Sequence, residues 1–155
     1  MAAANHNFYL SEFYGANRLA KGQMVMAGTR LELGRIKIPV FELATKEDHI
    51  APAKSVFAGA QLFGGPVEFV LSGSGHIAGV VNPPAKVKYQ YWTSKKRAKS
   101  LDLWVKGATE HPGSWWSHWT EWLAGYSGDR IEPREPGKTL GVIEAAPGSY
   151  VKAKA

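Results

Sequence analysis

The sequence predicts an α/β fold, and three observations carry that reading. Two β-favouring apolar runs, Ile38–Leu43 and Val67–Leu71, flank the helical stretch "PAKSVFAGAQLF". Strand, helix, strand in that order implies two parallel strands joined by a crossover helix. The first run is nearly continuous in apolar residues, as in a strand covered on both faces.

Taken in order, residues 7–22, "NFYLSEFYGANRLAKG", predict a helix. Phe8, Leu10, Phe13, Tyr14 and Leu19 fall at spacings near three and four, and Gly22 can stop it. The first strand follows, dense in Ile38, Val40, Phe41 and Leu43, with Pro39 at its entrance. In the crossover helix Val56, Phe57, Ala60, Gln61 and Leu62 make a partly apolar stripe, closed by Gly64-Gly65. The second strand, Val67 to Leu71, opens into a glycine-rich turn that carries His76. Beyond it "NPPAKVKYQYW" reads as a proline-led loop and "KSLDLWVKGA" as a short helix. An aromatic helix is expected over "PGSWWSHWTEWLAGYSG", N-capped at Ser114, with Trp115, Trp119, Trp122, Leu123 and Tyr126 down one side. From Asp129 prolines and glycines return and the chain ends as an irregular tail.

The bulk numbers narrow the function classes. A chain of 155 residues with 45% hydrophobic and 21% charged residues is in the globular range and fits one domain. It has no cysteine, which excludes disulfides, thiolate metal sites and a cysteine nucleophile from these residues. The formal charge of +6 is concentrated in "TSKKRAKS", where Lys95, Lys96, Arg97 and Lys99 cluster. An anionic partner could use that run. No nucleic-acid motif accompanies it, so a solvated loop is the preferred reading and no nucleic-acid partner is expected. No apolar stretch approaches the ~20 residues of a membrane span, and "MAAANHNFYL" lacks the form of a signal peptide. A cytoplasmic location is expected.

Asp48 and His76 both fall just past the carboxyl end of an expected strand, where open α/β sheets place their binding and catalytic groups. An imidazole serves as a base near neutral pH when the correct nitrogen is free, and a carboxylate on the other nitrogen fixes that tautomer. Taken singly, Asp48 reads as a turn residue or as a cap for the helix beginning near Pro52. His76 alone reads as a turn residue. At two successive strand ends of one βαβ unit, the paired catalytic reading is preferred. His49 is adjacent and points to a structural role. His6, His111 and His118 are scattered without metal-ligand spacing, so no metal is expected. The tryptophans at helical spacing suggest core, or a surface for a partner.

Several stretches carry a more specific resemblance: "KEDHIAP", "GGPVEFVLSGSGHIAGVVNPPAK", "GATEHPGSWW", "APGSYVKAKA" and, near the start, "NFYLSEFYGANRL". Together they resemble the C-terminal part of a class I polyhydroxyalkanoate synthase, the bacterial polyester polymerase. The likeness is weakest between Lys95 and Leu103 and between Asp129 and Val142. It implies the C-terminal portion of an α/β-hydrolase fold, parallel strands with crossover helices. Residues 1–24 would be a remnant of the cap region, 25–128 part of the catalytic domain and 129–155 a tail. Residue by residue, it makes Asp48 the triad acid and His76 the triad histidine. The family's cysteine nucleophile occupies a Gly-x-Cys-x-Gly elbow, which this sequence lacks, so the chain reads as a truncated synthase.

The resemblance further implies acyl transfer from 3-hydroxyacyl-coenzyme A to a growing polyester chain, with no cofactor beyond coenzyme A as the substrate's thioester. Partners would be an N-terminal synthase fragment or a second synthase copy, and the polyester granule surface. Alone, the chain is expected to be inactive. With two parallel strands and at most one further partner, its open apolar edge would make it poorly soluble. Two alternatives stay open: a serine-type α/β-hydrolase such as an esterase, decided by the upstream nucleophile, and a non-catalytic module that attaches to granules or synthase through the aromatic helix and basic loop.

Overall fold

The computed structural model describes residues 1–154. Helix α1, Ala3–Tyr9, starts in the alanine run and continues into a wider π-helical turn, Leu10–Gly15. The helix thus begins four residues earlier than the apolar spacing suggests and stops sooner. Alanine is the strongest helix former, whereas Gly15 and Asn17, the latter at φ +48°, break the pattern before Gly22. Its aromatic rings pack on one another, Tyr9 on Phe13 at 5.3 Å and on Tyr14 at 5.4 Å, and bury none of its residues.

A small hairpin follows, β1 (Val25–Met26) and β2 (Thr29–Arg30), which the sequence reading does not anticipate. Its two linking residues, Ala27 and Gly28, both have positive φ, the requirement of the turn that matches strand twist. An Ala-Gly pair advertises that turn less clearly than Asn-Gly does.

The main sheet has four strands in the order β3 (Val40–Thr45), β4 (Val67–Ser72), β5 (Gln90–Thr93), β6 (Thr109–Pro112). β3 and β4 are parallel and in register, Val40 opposite Val67 through Thr45 opposite Ser72. They are joined by α2, Ala53–Ala60, as the strand–helix–strand pattern predicts. The remaining pairs, β4–β5 and β5–β6, are antiparallel, so the sheet is mixed: two further strands, both antiparallel to their neighbours, extend the expected parallel pair, where at most one further partner was expected. The strand in "KYQYW" was hidden by the prolines before it and by its length of only four residues. β6 is an edge strand, which is where a proline such as Pro112 is tolerated. β3 forms the other edge, with no strand beyond it among the described residues.

Alternation along the strands sends Val67, Phe69, Leu71 and Trp92 to one face. There Phe57 and Ala60 of α2 meet Leu101 and Trp104 of α3, Leu101–Lys106. Phe57, Phe69 and Trp104 interlock edge to face, at 4.9 Å between the two phenylalanines and 5.0 Å from Phe69 to Trp104. That geometry matches the ring quadrupoles, and each buried ring contributes about 1.5–3 kcal/mol through burial alone. The aromatic helix α4, Trp116–Ala124, covers part of the opposite face, with Trp115, His118 and Trp122 around Phe41. Residues 129–154 are largely irregular and exposed. Among the described residues, no helix is long and apolar enough to cross a membrane.

Candidate active site

Two loops leave the carboxyl ends of the parallel strands side by side. Hydrogen bonding continues past both strand ends, Lys46 N to Ser72 O at 2.8 Å and Glu47 N to Ser74 O at 3.0 Å. The loops therefore stay laced for two more residues, which brings Asp48 opposite the turn that holds His76. There Asp48 Oδ2 lies 2.8 Å from His76 Nδ1.

Asp48 does two jobs with its two oxygens. Oδ1 accepts hydrogen bonds from the amides of Ile50 (2.8 Å) and Ala51 (2.9 Å) and shapes the turn. Oδ2 accepts from Thr45 Oγ1 at 3.2 Å and from the imidazole. One side chain thus makes both the turn contacts and the contact with His76. The Ala51 amide holds the carboxyl well below the usual carboxylate range; burial opposes it, and the bonds from His76, Ile50 and Thr45 add to the lowering. Its side chain is only 7% exposed. At neutral pH the group is a carboxylate, which can only accept hydrogen bonds. The imidazole proton consequently sits on Nδ1, and the lone pair of Nε2 is free.

His76 is presented by a tight turn. Gly79 N donates to Gly75 O at 2.9 Å, and Ser74, at φ +68°, redirects the backbone just before it. A β-carbon on Gly79 would meet Gly73 O at 2.6 Å, Thr45 Cγ2 at 2.7 Å and Gly75 O at 2.8 Å. Only glycine fits there. The His76 side chain is 46% exposed. A carboxylate-oriented imidazole of this kind is equipped to take and return a proton.

The other candidate residues are placed apart from this pair. His49 and His6 are exposed. His118 Nε2 lies 2.8 Å from Glu68 Oε1, tying α4 to the sheet, and His111 Nε2 lies 2.9 Å from Thr93 Oγ1. His111 also stacks on Tyr91 at 4.9 Å. Among the described residues no group of three or more His, Asp or Glu side chains is arranged to hold a metal ion. A cavity of about 240 Å³ between α2 and the basic loop, lined by Phe63, Gly65, Lys95 and Arg97, opens at the start of β4, the opposite end of the sheet from His76.

Two contacts at the site go beyond the sequence reading. The indole N–H groups of Trp115 and Trp116 donate to the carbonyls of Gly79 and Val80, at 3.1 and 2.9 Å. The only sequence signal was the tryptophan pair itself, read as core or partner surface. Ser114, expected as a helix cap, accepts a hydrogen bond from Trp116 N at 3.1 Å, within the turn that leads into α4.

Comparison with known proteins places these features in context. The chain is 58% identical over 155 residues to the poly(3-hydroxyalkanoate) polymerase subunit PhaC of Rhizobium meliloti, covering 100% of the chain and 25% of that protein. It is 54% identical over 157 residues to a poly(3-hydroxyalkanoate) polymerase of Methylorubrum extorquens, covering 100% of the chain and 26% of the relative. Against the polymerase subunit PhaC of Cupriavidus necator it is 44% identical over 151 residues, 96% of the chain and 26% of the relative. The chain spans about a quarter of the length of the curated relatives it matches. No protein-family model matches it.

Proposed function

The chain belongs to the poly(3-hydroxyalkanoate) polymerase family, and we propose that it supplies the acid–base half of that enzyme's acyl-transfer centre. The observation that carries the proposal is the 2.8 Å contact between Asp48 Oδ2 and His76 Nδ1 at the ends of adjacent parallel strands. That placement is the one an α/β-hydrolase fold uses for its acid and histidine, in the chain order acid before histidine.

The nucleophile is a cysteine thiol on a polymerase segment outside these residues, since the chain holds no cysteine. A free thiol, with a pKa of ~8.5, is mostly protonated at neutral pH. His76 Nε2 removes its proton, and Asp48 stabilises the imidazolium that results. The thiolate attacks the carbonyl of a 3-hydroxyacyl-coenzyme A thioester, the carbon–sulfur bond to coenzyme A breaks, the imidazolium returns its proton to the departing coenzyme A thiolate, and the acyl group is held on the cysteine. In the second half, the pair accepts the proton of an alcohol as its oxygen attacks the acyl-enzyme; the ester C–O bond forms, the carbon–sulfur bond to the cysteine breaks, and the proton passes to the cysteine sulfur. A repeated cycle lengthens a polyester.

The exposure of His76 fits a centre completed by other parts of the enzyme. An acyl-enzyme open to water hydrolyses, so transfer to an alcohol needs walls that exclude solvent. These residues bring the base and its orienting acid; the nucleophile and an oxyanion hole come from elsewhere. The cytoplasmic setting and contact with a polyester granule, through the exposed Trp119 and Leu123 of α4 and Tyr126 in the turn after it, belong to the same proposal.

A chimera tests the reading. The matching quarter of the Rhizobium meliloti polymerase is replaced by this chain, and coenzyme A release from 3-hydroxybutyryl-coenzyme A is followed. Turnover with polymer formation is expected. A folded chimera that retains the cysteine and releases no coenzyme A would overturn the assignment.

A further inference from the structure

We infer that Trp115 and Trp116 are positioning residues, holding the His76 turn in register with Asp48 through their indole N–H groups. The catalytic consequence rests on the function proposed above; the structural one does not.

The turn from Gly73 to Val81 contains no regular secondary structure; the amides of Gly79, Val80 and Val81 close it onto Gly75 O and Ile77 O, and the Gly79 carbonyl is left to partners from outside. Gly79 O accepts two hydrogen bonds, from Ser72 Oγ at 2.8 Å and from Trp115 Nε1 at 3.1 Å. Val80 O, one residue on, accepts from Trp116 Nε1 at 2.9 Å. Gly79 N in turn closes onto Gly75 O at 2.9 Å, spanning His76. Displacing Gly79 therefore moves the imidazole.

Two adjacent residues can serve two adjacent carbonyls because their ring planes are turned 80° to each other. Their own positions are fixed. Ser114 Oγ accepts from the Trp116 amide at 3.1 Å, and Trp115 packs on Phe41 and Trp119, each at 6.0 Å. Phe41 is on β3, the strand that ends at Thr45 and leads to Asp48. One tryptophan thus touches the acid's strand with its ring and the base's turn with its N–H. An indole donates and cannot accept, so these contacts have one sense only, and phenylalanine keeps much of the ring while removing the donor.

The test compares Trp115→Phe, Trp116→Phe and Trp119→Phe in the full chain. Trp119 packs on Trp115 but makes no hydrogen bond to the turn, so it reports on packing alone. Hydrogen exchange is read peptide by peptide by mass spectrometry at low micromolar concentration. The histidine ring nitrogens are read by NMR on histidine-labelled protein. For Trp115→Phe and Trp116→Phe, exchange over residues 73–82 is expected to rise about tenfold while α4 and β5 stay unchanged. The His76 ring is expected to pass from a single Nδ1–H tautomer to an averaged signal. Trp119→Phe is expected to change neither.

Unchanged exchange over 73–82 in both variants, or a rise shared equally by α4, would overturn the inference. Should a tryptophan variant fail to fold, Ser72→Ala removes another donor to Gly79 O without touching α4. It must loosen the same peptide, and no effect there counts against the clamp. In the chimera, Trp115→Phe is expected to lower kcat with KM unchanged. A loosened turn with kcat intact would leave the clamp standing and remove the catalytic role of His76.

Discussion

The side-chain methyl of Thr45 occupies the space into which a β-carbon on Gly79 would project, 2.7 Å away, while the Thr45 hydroxyl holds Asp48 Oδ2 at 3.2 Å. One residue at the end of β3 thus abuts the turn that carries His76 and holds the carboxylate of Asp48. Gly79→Ala has no conformational objection and fails on space alone. Because backbone oxygens of Gly73 and Gly75 also lie within 3 Å of the added carbon, relaxation has to move the turn. A loss of about 1–3 kcal/mol of stability is expected, with the hydrogen bond between Thr45 and Asp48 disturbed. Urea unfolding followed by tryptophan fluorescence measures the first; a neutral substitution would show that the turn is looser than described.

Phe69 is the hinge of the aromatic core, touching both Phe57 and Trp104 edge to face. Phe69→Ala removes both contacts and leaves a void beneath α2 and α3. The expected cost is about 3–5 kcal/mol, read as a lowered urea midpoint. A change below about 1 kcal/mol would mean that the helices collapse into the space.

Asp48 makes stability depend on pH in a defined sense. Its folded carboxyl is held below the unfolded value near ~3.9, foremost by the Ala51 amide. The stabilisation it contributes is fully present above that unfolded value and is lost as pH falls through the lower folded value. Asp48→Asn is therefore expected to be least stable relative to the parent at pH 7, with the gap closing below about pH 4. A gap constant down to pH 3 would contradict the account.

Glu42, half-buried on the edge strand β3, has the opposite sign. Burial raises its carboxyl pKa, so the charged form is disfavoured in the fold and the penalty develops as pH rises through the ordinary carboxylate range. Glu42→Gln is expected to stabilise the chain at pH 7, and the gain should vanish below about pH 4. Thermal unfolding at several pH values checks it; no gain at neutral pH would show the carboxylate to be solvated.

The parallel βαβ unit was legible because its strands are rich in apolar, β-favouring residues, interrupted by Glu42 and Glu68, and its helix is bounded by prolines and glycines. The Asp48–His76 contact was legible for the same reason: parallel strands of matched length bring their trailing loops together. β5 and β6 were not, since each is only four residues long, β5 follows a proline-led loop, and β6, "TEHP", is largely polar and ends in a proline. The tie between His118 and Glu68 links residues 50 apart through a helix docked on the sheet. The indole clamp is of that kind as well: a tryptophan's position in a sequence says that it is buried or exposed, but not which carbonyl its N–H will meet.

The measurement that bears most directly on the central claim is the rate of coenzyme A release by the chimera carrying His76→Gln or Asp48→Asn. If the pair is the acid–base half of the centre, His76→Gln lowers turnover by about 10³-fold, and Asp48→Asn by about 10²–10⁴-fold with substrate binding kept. Turnover within about tenfold of the parent chimera in either variant would contradict it.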